Sequence, residues 1–556
     1  MKGDQAEVRS QHFYQRWGSL NPLWFHLSYV LTTFCFLGFT TRTPAATQRP
    51  DQELKIGIVQ RFGDEPTEKL NLEATPGDRL TLKFKSNERQ QTLQASSAKL
   101  EIVMQPLPEP VVEERVVLST HRSFETAEDS AEQWRKRGIE VEIAQPERWQ
   151  VWAKRSVYNT PLLRRLLLES IQAKGNKISY IDSQILQQVP QASLVVNGYR
   201  YNRNQLDITS GKNLVRIDEG NEGDAVLYGG SLRLQLNAYG NYTLVNNVPL
   251  ETYLRGVVPH EIGASALYAA VEAQAIIART YALRNLRRFA LDNYQLCADT
   301  HCQVYRGLSG TVKNADAAIA ATRGRVLTYK NELVDALYSS TTGGVTAAFS
   351  DVWNGTDRAY LKPVVDAAGK IWNLEQYTLA NEKNFQSFIS LRQGFNETGW
   401  GMFRWRKESS MEQITKDLQR YFQVNKNPLA NFKTIRQMQV IERSPSGRIL
   451  KLAVQTEQGS FVLEKDEVRN AFSAPRSTLF YLEPLSKGEK ALWGYAFVGG
   501  GLGHGVGLSQ TGSQKLAQLG WSSSRILNFY YPNTQIQPLN DQITFWSEPS
   551  LNISQK

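Results

Sequence analysis

The sequence predicts an α+β fold built from several units, and three patterns carry that expectation. Runs such as Leu80-Thr81-Leu82-Lys83-Phe84-Lys85 and Leu232-Arg233-Leu234-Gln235-Leu236 alternate apolar and polar residues, the period-two mark of a half-buried strand. Apolar residues spaced three and four apart predict helices, among them Leu162 to Lys174 and Ala269 to Arg284. The chain has 556 residues, 41% hydrophobic and 21% charged, which fits a folded protein of more than one domain at about 100–200 residues each.

Taken in order, Lys2, Arg9 and Arg16 precede a largely apolar stretch from Leu23 to Phe39 in which His26 is the one clearly polar interruption early on. A basic flank followed by about 17 apolar residues reads as a cleaved signal peptide or an uncleaved membrane anchor. Either places the rest of the chain outside the cytoplasm, in the periplasm or cell envelope. Residues 1–46 form this segment and the start of a polar linker that contains Pro44 and Pro50. Strand patterns at Lys55–Val59 and Leu80–Lys85 suggest a small β-rich module over 50–105.

Pro106 to Pro110 makes a break. Beyond it, Arg115-Val116-Val117-Leu118 reads as a strand, and Ser123 caps a helix that runs to Lys136 and stops at Gly138. Ile139–Ile143 and Gln150–Ala153 read as strands, and Leu162–Lys174 as a second helix. This βαββα order over 111–175 resembles a SPOR domain, a glycan-binding module of bacterial envelope proteins. Phe124, Ala127, Ala131, Trp134 and Gly138-Ile139 carry the likeness. From about residue 190 to 540 the chain is strand-rich, with a turn at Asn197-Gly198 and strands before Leu250.

The net charge of +10 favours acidic partners: nucleic acid, anionic lipid or an anionic wall polymer. No nucleic-acid motif and no dense basic block is present, so nucleic acid is not expected. The 3 cysteines exclude a disulfide-built scaffold.

Four blocks carry chemistry. In the first, Glu261 follows Pro259 between an apolar, strand-like Val257-Val258 and the Ala-rich helix that begins near Ala269. That setting suggests a positioned acid, although a carboxylate at a helix N-terminus has its anion favoured and its pKa lowered. The second block runs from Cys297 to Tyr305 and includes His301 and Cys302. The third is Ser339-Ser340-Thr341-Thr342-Gly343-Gly344 with Trp353 and Tyr360 downstream. This reads either as a polar loop facing the same cleft as Glu261 or as plain turn chemistry; the two aromatic residues read as core first, or as surfaces that stack on sugar faces. The fourth is the Gly-rich run around His504, with Gly505, Ser509 and Gln510. Glycines let backbone approach a substrate, and the Lys-Ser/Thr of a phosphate loop is missing. His504 reads as a sugar-contacting or transition-state-polarising residue, or as part of a simple turn.

In this order the blocks resemble the SpoIID/LytB family, the stage II sporulation protein D type. Tyr253 to Ile262, then Glu272 to Ala282, Ser340 to Leu361, Gly501 to Ser513 and Ile526 to Thr534 carry the likeness, which covers roughly residues 195–540. It implies a mixed α/β catalytic domain with strand-rich insertions and a role on peptidoglycan. The family includes lytic transglycosylases and a non-catalytic enhancer of a wall amidase. It implies Glu261 as the catalytic acid, with Ser339, Ser340, Thr341, Gly343, Gly344, His504, Gly505, Ser509 and Gln510 at the glycan. Arg279 is also counted among the residues expected at the glycan, where it either orients Glu261 or pairs structurally. A lytic transglycosylase can work with one carboxylate, because the sugar's own 6-hydroxyl attacks the anomeric carbon and leaves a 1,6-anhydro product; hydrolases usually pair two. Cys297, His301 and Cys302 resemble a loop in which some members hold zinc, but the upstream histidine is absent, as Leu291, Asp292 and Asn293 occupy that place. The loop is a structural zinc site, a Cys297–Cys302 disulfide or two free thiols. No cofactor is required for the chemistry. The expected partners are peptidoglycan glycan strands, a wall amidase and, through the N-terminal segment, the membrane.

Overall fold

The computed structural model describes residues 51–86, 89–218, 225–425, 428–488 and 491–547. The apolar segment Leu23–Phe39 lies outside them. Among the described residues, no helix is long and apolar enough to cross a membrane.

The fold is α+β, as the sequence predicts. Strands β1 (Glu53–Phe62), β2 (Lys69–Ala74), β3 (Leu80–Ser86), β4 (Arg89–Ala95) and β5 (Ser97–His121) open the described chain. Next come helix α1 (Phe124–Lys136), strands β6 (Val141–Ala144) and β7 (Trp149–Ala153), helix α2 (Pro161–Ala173) and strand β8 (Tyr180–Val196). Ser123 and Thr160 cap the two helices: their side chains accept from Thr126 N and Leu163 N. Strands β9 (Tyr199–Asn202), β10 (Gln205–Ser210), β11 (Leu214–Asp218), β12 (Val226–Gly229), β13 (Ser231–Leu236) and β14 (Tyr242–Pro249) follow.

The β-rich unit expected over 50–105 is not a separate body. β1 pairs with β14, β3 with β10, and β2 with both β5 and β11. Two sheets therefore run through the boundary expected near residue 105 and share one apolar core with the downstream domain, including Leu54, Leu72, Leu82, Leu234, Leu244 and Val257. Alternation along the sequence reveals a strand but not its partner, and here the partners are distant. The upstream module has the element order expected of it. β5 carries β7 and then β6 on one side and β8 on the other, with α1 packed on this sheet.

Helix α3 (Leu250–Ile262) and helix α4 (Tyr268–Arg284) form the centre of the downstream domain. Residues Val257-Val258, expected as strand, lie inside α3. Both are fully buried against the core, and that packing overrides the β preference of branched side chains. α4 is buried along nearly its whole length, which explains its Ala-rich sequence: small side chains allow close approach on every face. Short β15 (Leu296–Cys297) joins the first sheet beside β1.

Beyond it lie α5 (Lys313–Ala321), β16 (Arg325–Tyr329), β17 (Glu332–Leu333) and β18 (Tyr338–Ser339). A large insertion follows. It holds α6 (Glu382–Ser390), β19 (Trp405–Ser410), α7 (Met411–Val424), β20 (Ile435–Arg443), β21 (Ile449–Thr456), β22 (Gly459–Glu464), α8 (Asp466–Asn470), β23 (Phe480–Lys487) and β24 (Ala491–Gly499). It has its own apolar core around Ile414, Leu418, Leu452, Val454 and Phe497. The chain then returns through β25 (Leu508–Ser509), α9 (Gln510–Gln518), α10 (Ser523–Tyr530) and β26 (Gln535–Pro538). β25 runs parallel to β18, with Tyr338 opposite Leu508 and Ser339 opposite Ser509. That short pairing joins the third and fourth sequence blocks across the whole insertion.

Candidate active site

Glu261 stands in the last turn of α3, which ends at Gly263 with φ 91°. The expected position, at the start of the next helix, is therefore reversed. The negative end of the α3 dipole lies at this carboxylate and disfavours its anion. Burial acts in the same direction and is the largest influence, so the Glu261 pKa is raised above the ordinary 4.5. Three donors oppose the rise without cancelling it. Val304 N–H donates to Oε1 at 2.7 Å, Gln510 Nε2 donates to Oε2 at 3.3 Å, and the Tyr338 hydroxyl adds a further hydrogen bond. Behind Tyr338, Gln303 Nε2 donates to its hydroxyl at 3.1 Å, and Tyr253 donates to Gln303 Oε1 at 3.2 Å. The acid is thus fixed in place by a buried polar chain.

Glu261 opens into a cleft of about 470 Å³ that is also lined by Tyr281, His301, Cys302, Ser339, Ser340, Trp353, His504 and Gln510. The Ser339 hydroxyl is buried in the cleft wall without a hydrogen-bond partner, a cost that a bound polar group would relieve. His504 packs its ring on Trp353, with centroids 5.0 Å apart. Its Nδ1 accepts from Val506 N–H at 3.0 Å, which leaves the proton of the neutral ring on Nε2. Burial lowers its pKa to about 4, so at neutral pH the ring carries no charge. Trp353 both lines the cleft and fills core, whereas Tyr360 is core, with its hydroxyl 3.2 Å from Asp335 Oδ2.

Two other carboxylates face the cleft, and both are neutralised. Glu125 pairs with Arg288, and Asp466 is held by both arms of Arg469 at 2.9 Å. Glu261 is the one carboxylate of the lining without a cationic partner.

Several residues expected at the glycan lie beneath the cleft. Thr341 is fully buried and bonded to the Leu502 backbone. Gly343 and Gly344, with φ of 75° and 89°, aim their N–H groups at Glu397 Oε2 at 2.8 and 3.1 Å. Ser509 donates to Glu397 Oε1 at 2.6 Å and caps α9. Gly505, with φ 74°, leaves room for the Arg448 guanidinium. The Ser/Thr-Gly-Gly loop and the Gly-rich loop therefore converge on a buried acid, Glu397. Thr341, Gly343, Gly344, Gly505 and Ser509 shape the cleft floor, while Ser339, Ser340 and His504 of the same loops line the cleft. Arg279 is also corrected. It is fully buried and makes a two-pronged pair with Glu251 at 2.7 and 2.8 Å, tying α4 to the first turn of the helix that bears Glu261.

Cys297 and Cys302 form a disulfide with Cα atoms 5.6 Å apart. In that state neither sulfur is a thiolate, so the bonded pair cannot act with His301 as a zinc site. Among the described residues, no group of three or more His, Cys, Asp or Glu is arranged to hold a metal ion. The disulfide closes the loop that leads directly to Val304.

Sequence reading missed the outer walls of the cleft. Arg122, Ser123, Phe124, Glu125 and Trp149 come from the upstream module, and Asp466 and Arg469 from the insertion. No local pattern marks them, because each reaches the cleft through domain packing. Arg287–Glu128 and Arg288–Glu125 ion pairs hold α1 against the end of α4.

Fold and cleft together define an α+β protein with a substrate-sized cleft built around a single unpaired acid. Residues 238–329 match the family model described as Stage II sporulation protein, and residues 347–507 match one described as a domain of unknown function, DUF8618. The amidase enhancer of Bacillus subtilis (strain 168) is 28% identical over 303 residues, covering 51% of this chain and 40% of that protein. Stage II sporulation protein D of the same organism is 25% identical over 361 residues, covering 62% and 90%. An uncharacterised protein of Brachyspira hyodysenteriae is 25% identical over 307 residues, covering 53% and 69%. The chain thus spans less than half the length of the amidase enhancer. Residues 238–329 are thus similar to the stage II sporulation protein family, and the domain-of-unknown-function match covers most of the large insertion.

Proposed function

We propose that this chain is an envelope enzyme that cleaves the glycan strands of peptidoglycan as a lytic transglycosylase, with Glu261 as both acid and base. The observation that carries the reading is the solitary state of Glu261: raised pKa, no cation beside it, and the other two carboxylates of the cleft paired with arginine. A protonated Glu261 gives its proton to the glycosidic oxygen as the bond to the anomeric carbon breaks. The resulting carboxylate takes the proton of the sugar's 6-hydroxyl as that oxygen attacks the same carbon, so the acid is regenerated and a 1,6-anhydro end forms. A hydrolase with two working carboxylates would need a second one free of its arginine. Ser339 is available to a sugar hydroxyl, and Tyr281, Trp353 and the neutral His504 offer flat surfaces to a sugar ring.

A second reading rests on the similarity to the amidase enhancer: a wall-binding protein that stimulates a separate amidase without cleaving glycan. An exported, envelope location suits both readings, as does membrane attachment through Leu23–Phe39. Purified Glu261→Gln separates them. On the enzyme reading, wild type releases anhydro-sugar ends from purified wall or from peptide-free strands, and the variant loses about 10²- to 10⁴-fold of that rate while still binding wall. Absence of anhydro product from wild type on both substrates leaves the enhancer reading, to be checked by amidase stimulation.

A further inference from the structure

A second groove continues from the cleft, between the upstream module and the insertion. Its volume is about 230 Å³, and its lining includes Arg122, Arg148, Asp417, Arg420, Tyr421 and Ser473. Arg122 lines both the cleft and the groove, and helix α8 spans the same junction, with Asp466 and Arg469 at the cleft and Asn470 at the groove. The two spaces therefore adjoin at Arg122.

The charge of this groove is unbalanced. Asp466 is held by Arg469 and Asn470, and Asp417 accepts from Ser473 and Gln413. Among the described residues, the side chains of Arg122 and Arg420 have no hydrogen-bond or ion-pair partner. Arg148 has only a neutral partner, Asn425, and lies over the Tyr421 ring at 5.8 Å. Three guanidiniums thus share one groove with a single carboxylate, Asp417, whose hydrogen bonds go to neutral Ser473 and Gln413, and the groove keeps a net positive charge. Burial and the neighbouring Arg469 and Arg148 disfavour the Arg122 cation, while Asp466 only partly offsets them. Holding like charges together costs free energy that an anion in the groove would recover. Guanidinium is also suited to two-pronged binding of a carboxylate.

We propose that the groove past Arg122 to Arg148 and Arg420 is a subsite for carboxylates on a wall strand whose next sugars occupy the Glu261 cleft. The proposal rests on the glycan-cleaving reading and deepens it by naming the charge the strand must carry. Such carboxylates have two sources, the lactyl ether of the amino sugar and the stem peptides.

The test measures binding of the full chain to peptide-free strands, to peptide-bearing wall and to each after its carboxylates are converted to neutral methyl amides. Wild type is expected to bind the carboxylate forms about tenfold more tightly at low salt, the effect of roughly two exposed ion pairs. Arg122→Glu/Arg420→Glu is expected to bind both forms alike, with an unchanged thermal midpoint, and Arg122→Lys to keep most of the preference. A preference on peptide-free strands assigns the lactyl carboxylate; one confined to peptide-bearing wall assigns the stem. The proposal is overturned if amidation leaves wild-type affinity unchanged, or if the double variant weakens equally on charged and amidated strands. Carboxylate preference without anhydro product would sink the cleavage reading and keep the groove. Anhydro product without carboxylate preference would do the reverse.

Discussion

The backbone N–H of Val304 donates to Glu261 Oε1 at 2.7 Å, across 43 residues of sequence. This contact fixes the direction of the acid. It also links the acid to the disulfide loop, since Cys302 lies two residues before Val304 and forms part of the cleft wall.

The pH dependence follows from the raised Glu261 pKa. The acid form persists above 4.5, so on the proposed transglycosylase reading glycan cleavage should fall as pH rises through the raised folded value. Stability has its own sign. A carboxyl whose pKa is raised on folding contributes stability that is full below the unfolded value and is lost as pH rises through the folded one. Glu261→Gln removes that loss. The thermal midpoint of the variant minus that of wild type should grow as pH rises above about 4.5 and then level off. A difference that stays flat or shrinks between pH 4 and 8 would contradict the assignment.

His504 gives the opposite trend. Its folded pKa is lowered to about 4 by burial, against 6.5 unperturbed. Its contribution to stability is present above 6.5 and is lost as pH falls from there toward 4. A neutral ring throughout pH 5–8 should leave no histidine limb in the cleavage profile. Titrating the ring by NMR and comparing profiles of wild type and His504→Gln checks both; a ring that titrates near 6.5 would refute them.

Arg279→Ala should act on stability and not on substrate affinity. It strands Glu251 at a largely buried site, at a cost of about 3–5 kcal/mol. Denaturant unfolding measures the loss. Wall binding of the folded fraction should match wild type, and a selective loss of binding with normal stability would restore the substrate role.

Cys302→Ser should cost about 2 kcal/mol and loosen the loop before Val304. On the proposed transglycosylase reading, cleavage is expected to fall several-fold even where the variant is fully folded, because the acid loses its fixed donor. Elemental analysis of oxidised and reduced wild type addresses zinc in the same samples. Stoichiometric zinc in the native protein would displace the disulfide account.

Gly507→Ala should break the join between the third and fourth blocks. Gly507 has φ 75°, and a Cβ there would overlap the Leu337 carbonyl oxygen next to the β18–β25 pair. Left-handed backbone alone costs on the order of 1–3 kcal/mol for a non-glycine residue. A thermal midpoint within error of wild type would show that this turn carries no strain.

The sequence alone determined the α+β class, helices α1, α2 and α4 and the strands around Lys55, Leu80, Val116, Val141, Val151 and Leu232, and it singled out Glu261. Local chemistry suffices for these: alternation, capping residues and glycine-bearing blocks are short-range. It misplaced Glu261 relative to its helix, because Val257-Val258 look like strand until the core buries them in α3. For the polar residues of the glycine-rich blocks it left two readings open, a loop facing the cleft or plain turn chemistry. Which of them face the cleft depends on Glu397, a buried acid within the insertion that gathers Gly343, Gly344 and Ser509 below the cleft while Ser339 and Gln510 stay in its wall. The tertiary structure decided the direction of the Glu261 pKa and the pairing of the cysteines. It also set the cleft's outer walls, Arg122 and Glu125 on one side and Asp466 and Arg469 on the other. The physical reason is common to all of these. Burial, charge pairing and the end of a helix at which a carboxylate stands are properties of neighbours in space, and here those neighbours are tens to hundreds of residues apart along the chain.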